Sequence, residues 1–218
     1  MSTSFENLVT SGTFSLDGGT WEVDNNVWII GDEHEVILID PAHDADAVVE
    51  AVGARAVTDI LLTHGHDDHI SQALQVQKRV GGRIHLNPED QMLWDAVHEG
   101  TVPDVDITDG DLFTVGDAQL VAIHTPGHSP GSTCFYASSL AGPDGTVQPV
   151  LFSGDTLFAG GPGATGRSFS SFETIIESIR TRLFQELPTE TLVNTGHGPS
   201  TSIGAESPHL QEWIDRGE

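Results

Sequence analysis

His64-Gly65-His66-Asp67-Asp68-His69 places three imidazoles and two carboxylates within six consecutive residues. Neutral imidazole and carboxylate are the ligands that a borderline divalent cation such as zinc takes. Burying them together without a cation would leave unpaired charge in a low-dielectric site, so the run reads as part of a metal site. Its neighbours say where in a fold it sits. Ile60-Leu61-Leu62, just upstream, is a short apolar, partly β-branched run of the kind that forms a buried strand. Downstream, Ile70, Ala73, Leu74 and Val76 recur at helical spacing, Lys78 and Arg79 fall in a last turn, and Gly81-Gly82 stops the pattern. The spacing predicts a helix over 70–80. The histidine run therefore lies at the carboxyl end of a strand, where α/β folds place their active sites. Asp68 and His69 fall at the helix N-terminus, which favours the Asp68 anion.

Further out, alternation and turn signals predict strands at 21–23, 26–30 and 36–39 and a helix over 44–54 with Ala47, Val48, Ala51 and Val52 on one side. A strand at 83–86 precedes a helix over 88–98, with Asn87 as N-cap and Pro88 at its first position. Strands follow at 112–113, 120–123, 133–136 and 150–152, the last two joined through Gly142-Pro143-Asp144-Gly145. A helix over 171–187 ends at Pro188, a strand covers 191–193, and a final helix covers 204–216. Two sheets packed face to face with helices outside would bury these elements.

Composition narrows the function classes. The chain has 218 residues and 37% hydrophobic content, enough for a substantial core. Thirty-three acids stand against 8 bases, a net charge of -25. Such a field repels nucleic acid and anionic membranes, so neither is an expected partner. An anionic substrate must instead meet a local positive centre. Cys134 is the single cysteine, so no intramolecular disulfide forms, and its alternating surroundings predict a buried, inert thiol. Met1 to Thr10 carries neither a basic nor an apolar leader region, and no apolar run approaches membrane-spanning length, so a cytoplasmic location is expected.

A metal site needs ligands from more than one loop. Three later residues qualify, each after a short strand and beside glycine: His128 in Thr125-Pro126-Gly127-His128, Asp155 in Ser153-Gly154-Asp155-Thr156, and His197 in Thr195-Gly196-His197-Gly198. His34, His43, His85, His98, His124 and His209 have no such setting and are expected at the surface or in packing.

The order His-x-His-x-Asp-His, then His, Asp and His, resembles the metallo-β-lactamase superfamily. Within it, the chain is most similar to compact glyoxalase II-like thioester hydrolases. Ile39-Asp40-Pro41, 63–69, 124–131, 154–158 and Gly196-His197-Gly198-Pro199 carry the likeness. The resemblance implies an α/β, four-layer αββα sandwich of two mixed sheets with helices on the outer faces. It also implies a single domain over 1–218 with no separate C-terminal substrate-binding domain. It implies two divalent ions, zinc first with iron or manganese as alternatives. His64, His66 and His128 would hold one ion, and Asp68, His69 and His197 the other. Asp155 would bridge them, and Asp40 would orient the histidine loop from behind. Asp67 occupies a variable motif position, so it is expected to be exposed and no ligand.

The activity so implied is hydrolysis of a small thioester by a metal-bridging hydroxide, with Asp68 and Asp155 in the catalytic centre. Few bases follow His197, so Arg167 in a glycine-rich stretch is the candidate partner for a substrate carboxylate, a salt bridge that merely holds its loop being the alternative. Other activities of the superfamily remain open: a mononuclear-iron persulfide dioxygenase using His64, His128 and Asp155, and a lactonase or β-lactamase-like hydrolase. The expected partner is a small molecule, and the protein is expected as a monomer or homodimer.

Overall fold

A long hairpin that the sequence pattern scarcely announces opens the fold. The computed structural model describes residues 3–217; Met1, Ser2 and Glu218, the outermost positions of the leader reading and of the expected domain, lie outside the described residues. β1 (Ser4–Leu16) and β2 (Gly19–Gly31) pair antiparallel along their whole length. Asp17 and Gly18 between them have φ of 52° and 78°, the two positive values of a type I′ turn. β1 falls outside the expected strands, and the two strands expected at 21–23 and 26–30 are one. The cause is burial: on β1 only Phe5 and Thr10 are buried, so no period-two pattern marks it.

β3 (Glu35–Ile39) pairs antiparallel with β2, and after α1 (Ala45–Val52) the chain adds β4 (Ala56–Leu61) parallel to β3. The helix expected over 70–80 is two: α2 (Asp67–Ile70) and α3 (Ala73–Val80). They part at Ser71, whose hydroxyl donates to Ala42 O at 2.6 Å. β5 (Arg83–Leu86), α4 (Gln91–Val97) and β6 (Val105–Asp106) finish this half, with β5 parallel to β4 and β6 parallel to β5. The second half holds β7 (Leu112–Val115), β8 (Ala118–His124), β9 (Thr133–Ala141) and β10 (Val147–Gly154), all antiparallel in sequence. A small hairpin of β11 (Leu157–Phe158) and β12 (Gly161–Pro162) leads to α5 (Phe172–Ser178), which continues as a π-helical stretch over Ile179–Phe184. β13 (Leu192–Thr195) returns parallel to β10, and β14 (Thr201–Ser202) pairs with it. The last predicted helix is α6 (Ile203–Glu206) and α7 (Leu210–Arg216), separated by a 3₁₀ turn at Pro208.

Among the described residues, hydrogen bonding joins the halves into one mixed sheet of 12 strands, because Ser4 of β1 bridges to Ala141 of β9. Three core clusters show that this sheet is folded into two packed layers. Trp28, Ile30, Ile37 and Ile39 face Phe113, Leu120, Phe135 and Phe152 in the middle cluster. Their alternate neighbours Ile29, Val36 and Leu38 face Val48, Val76 and Trp94 of the helices on one side. Cys134, Leu151 and Val193 face Ile175, Ile179 and Trp213 on the other. Period-two alternation therefore feeds both faces of each layer, and the four layers α, β, β, α follow.

Candidate metal centre

Five loops leave the carboxyl ends of β3, β4, β8, β10 and β13 at one edge of the sandwich. They carry Asp40, the 64–69 run, His128, Asp155 and His197. All seven sequence-predicted ligands meet there. His66 Nδ1 lies 3.0 Å from both His64 Nε2 and His128 Nε2. His197 Nε2 lies 3.2 Å from Asp68 Oδ2 and 3.3 Å from His69 Nε2. Asp155 stands between the two groups, Oδ1 at 3.4 Å from His69 Nε2 and Oδ2 at 3.3 Å from His197 Nε2 and 3.6 Å from His128 Nε2.

The outer hydrogen bonds fix which nitrogen carries each proton. His128 Nδ1 donates to Ala164 O at 2.9 Å, and His197 Nδ1 to Asp24 O at 2.8 Å. His69 Nδ1 donates to Asp40 Oδ2 at 2.8 Å. Thr63 Oγ1 gives its own proton to Asp40 Oδ2 at 2.6 Å, so it accepts from His64 Nδ1 at 3.0 Å. Four Nε2 atoms thus point inward, toward one another and toward carboxylates. Such an arrangement repels unless a cation lies within it. Asp155 Oδ1 is buried and lacks any hydrogen-bond partner, as a metal ligand would. A Cβ at Gly196 would collide with Asp155 Oδ1 and sit 2.8 Å from His69 Cε1, so only glycine lets the β13 loop pass this close. Both ligand groups therefore fit divalent ions, and together they fit a two-ion centre.

The local electrostatics differ across the centre. Burial, then the neighbouring His128, pushes His66 down to about 3. Burial lowers His197 too, but the carboxylates of Asp155 and Asp68 outweigh it and raise the imidazole to about 10. Burial would raise Asp155, yet His197 and His69 hold it well below the usual carboxylate range.

Asp40 lies behind the histidine loop. Its φ of 49° is a left-handed conformation, and the turn aims both carboxylate oxygens at the histidine loop. Oδ1 accepts Thr63 N at 2.8 Å, while Oδ2 takes Thr63 Oγ1 and His69 Nδ1. Asp67 departs from expectation. It belongs to neither ligand group, but it is half-buried and accepts the Ser15 amide at 3.0 and 3.1 Å, tying the β1–β2 hairpin to the metal loop.

Sequence reasoning missed three supporting residues. Asn25 Nδ2 donates to Asp68 Oδ2 at 3.1 Å, and its Oδ1 accepts from His43 Nε2 at 3.1 Å. Asp90 binds the amides of Gly65 and Gly131 and the Ser129 hydroxyl. An asparagine in a strand and an aspartate in a first helical turn are ordinary, so no signal marked them. The Cys134 thiol is buried, and burial pushes it up to about 11, which makes it inert as expected.

A pocket of about 480 Å³ opens above the ligands, walled by Phe14, Trp21, Val23, Phe158 and Arg167. The Arg167 guanidinium lies 3.8 Å from the Trp21 ring centre and 5.1 Å from that of Phe14. Its Nη1 is buried with no hydrogen-bond partner, and it makes no ion pair among the described residues, so the alternative of a loop-holding salt bridge is not formed. Ser168, the next residue, donates twice to Asp17 at the hairpin turn, at 2.9 and 2.6 Å. Among the described residues no helix is long and apolar enough to cross a membrane.

Comparison with known proteins agrees with this centre. The family model of the metallo-beta-lactamase superfamily matches residues 20–197. The hydroxyacylglutathione hydrolase GloC of Haemophilus influenzae is 30% identical over 190 residues, covering 80% of this chain and 85% of its own. Among solved structures, TTHA1623 in a di-iron-bound form is 27% identical with a TM-score of 0.72, covering 85% of this chain and 93% of its own. ETHE1 from Myxococcus xanthus is 26% identical with a TM-score of 0.70, covering 94% of this chain and 82% of its own. With its fold, its ligand loops and this match in accord, the chain belongs to the metallo-beta-lactamase superfamily.

Proposed function

We propose that the protein is a two-ion metallohydrolase of small thioesters, of the hydroxyacyl-glutathione type that the name of its Haemophilus relative describes. The observation that carries this reading is the placement of Asp155 between two ligand groups on the floor of an apolar pocket walled by Arg167. His64, His66 and His128 would hold one ion and Asp68, His69 and His197 the other, with Asp155 standing between the two groups. Zinc suits this mixture of imidazole and carboxylate, with iron or manganese as alternatives. Two such ions supply a hydroxide nucleophile near neutral pH and positive charge for the oxyanion.

The chain's own residues do the rest. Asp68 and Asp155 offset the positive charge and orient the centre. Asp40 keeps His69 in the tautomer that presents Nε2. Phe14, Trp21 and Phe158 exclude water from an apolar acyl or thiol group. Arg167, stacked on Trp21 with Nη1 unpartnered, receives a substrate carboxylate in a molecule whose charge otherwise repels anions. A thiolate leaves without strong acid assistance, and no serine or cysteine nucleophile is required. The reading takes the chain as one domain, cytoplasmic, acting on a small molecule as monomer or homodimer.

One experiment tests it: metal analysis of the purified protein, with a hydrolysis screen across S-lactoylglutathione, other thioesters, lactones and a β-lactam. Two ions per chain and preferred thioester cleavage are expected. Arg167→Ala should raise KM for carboxylate-bearing thioesters by roughly tenfold or more, the scale of one charged hydrogen bond, and spare neutral ones. The likeness to ETHE1 favours a second reading, the mononuclear-iron persulfide dioxygenase. One iron per chain, with oxygen consumed alongside a persulfide, would overturn the hydrolase. Preference for a lactone or β-lactam would move the substrate class and keep the centre.

A further inference from the structure

The loop carrying His64 and His66 and the loop carrying His128 share one buried anchor. Asp90, completely buried in the turn that enters α4, accepts Gly65 N at 2.8 Å and Ser129 Oγ at 2.7 Å through Oδ2, and Gly131 N at 2.6 Å through Oδ1. Gly65 lies between two of the ligands and Ser129 follows the third. The fit leaves no slack: a Cβ on Gly131 would lie 2.7 Å from Asp90 Cγ, and one on Gly65 would lie 2.8 Å from Leu93 Cβ and 3.1 Å from Asp90 Cβ. Asp90 itself cannot drift, because Trp94, one turn on, is fully buried in the helix-side core.

We propose that Asp90 is a positioning residue that clamps the two loops so that the nitrogens of His64, His66 and His128 converge on one ion. The proposal rests on the metal-centre reading but not on the thioester reaction. It is selective, because the other ligand group has different supports: Asp40 for His69, Asn25 for Asp68 and the Asp24 carbonyl for His197. Asp90→Asn is the informative substitution. It keeps size and shape but points an amide N–H at donors, at Gly131 N in one orientation and at Gly65 N and Ser129 Oγ in the other. The clamp then has to open on one side.

The test is cobalt(II) titration of metal-stripped protein, followed by d–d absorption and by equilibrium dialysis. The absorption component lost in His128→Ala identifies the ion at His64, His66 and His128. Expected in Asp90→Asn is about 10–100-fold weaker binding at that ion, the usual effect of removing a support of a ligand, with the affinity of the Asp68-His69-His197 ion retained. A purely structural aspartate would lower Tm without this split. Unchanged affinity at the three-imidazole ion, or an equal loss at both ions in folded protein, overturns the proposal. If Asp90→Asn fails to fold, Ser129→Ala decides: a smaller loss at the same ion supports the clamp, and no change overturns it. The wild-type cobalt count tests the two-ion reading separately, since the clamp is judged by the ratio of variant to wild type at one ion.

Discussion

The two ligand groups lie side by side and are built from different materials. His64, His66 and His128 bring imidazole alone, and their supports act mainly through backbone: Asp90 binds an amide on each loop and the Ala164 carbonyl stands behind His128, with the Thr63 hydroxyl behind His64. Asp68, His69 and His197 bring a carboxylate of their own, and two of their three supports are side chains, Asp40 and Asn25. The first group is therefore held by fixing where loops run. The second is held by fixing how side chains point. Charge follows the same division. The first group borrows its only anion, Asp155, while the second has Asp68 as well.

Removing the residue the groups share should erase the comparison. On the two-ion reading, Asp155→Ala removes the carboxylate between the two groups, so hydrolysis should be abolished and bound metal should fall at both positions. Metal analysis beside the rate measures it. Turnover near wild type with full metal content would show that Asp155 belongs to neither ion.

Removing a support should sharpen it. Asp40→Ala frees His69 Nδ1 and both Thr63 donors. The ion at Asp68, His69 and His197 should bind about 10–100-fold more weakly. The three-imidazole ion, which meets Asp40 only through Thr63 and His64, should change less. Cobalt titration reads both; an equal loss at both ions would mean that Asp40 shapes the whole loop rather than one ligand group.

Five of the seven converging residues were legible because each stands beside glycine in a short loop after an apolar strand, and Asp68 and His69, in α2, were legible from the His-x-His-x-Asp-His order. That context survives in sequence whatever packs around it. The four layers were legible for a similar reason, since buried central strands leave apolar runs. What escaped was whatever depends on two distant segments meeting. β1 lies mostly exposed and its polar side chains hide a thirteen-residue strand. Asp90 looks like an acid in a first turn, where acids are common. Asp67 and Arg167 were placed in the right loops, but their contacts are with Ser15, Trp21 and Phe14 of the hairpin, and nothing local marks that meeting. His43 looked like packing until Asn25 connected it to Asp68.

The subtlest difference between the groups concerns protons. His66 sits at about 3, so a cation entering the three-imidazole group at neutral pH displaces no proton from that residue. His197 sits at about 10, because Asp155 and Asp68 outweigh its burial, and it carries a proton on Nε2 throughout the neutral range. An ion taken up beside Asp68 must expel that proton. Its affinity should therefore rise with pH, by about tenfold per unit for each proton released, up to about pH 10. The affinity of the three-imidazole ion, with His64 and His66 both lowered by burial, should rise less steeply over the same range. Cobalt titrations at two pH values on either side of neutrality, run in buffers of different ionisation enthalpy, count the protons for each ion. Equal pH slopes for the two would mean that the carboxylates do not set the second group apart, and that the division between imidazole-built and carboxylate-built positions has no consequence for binding.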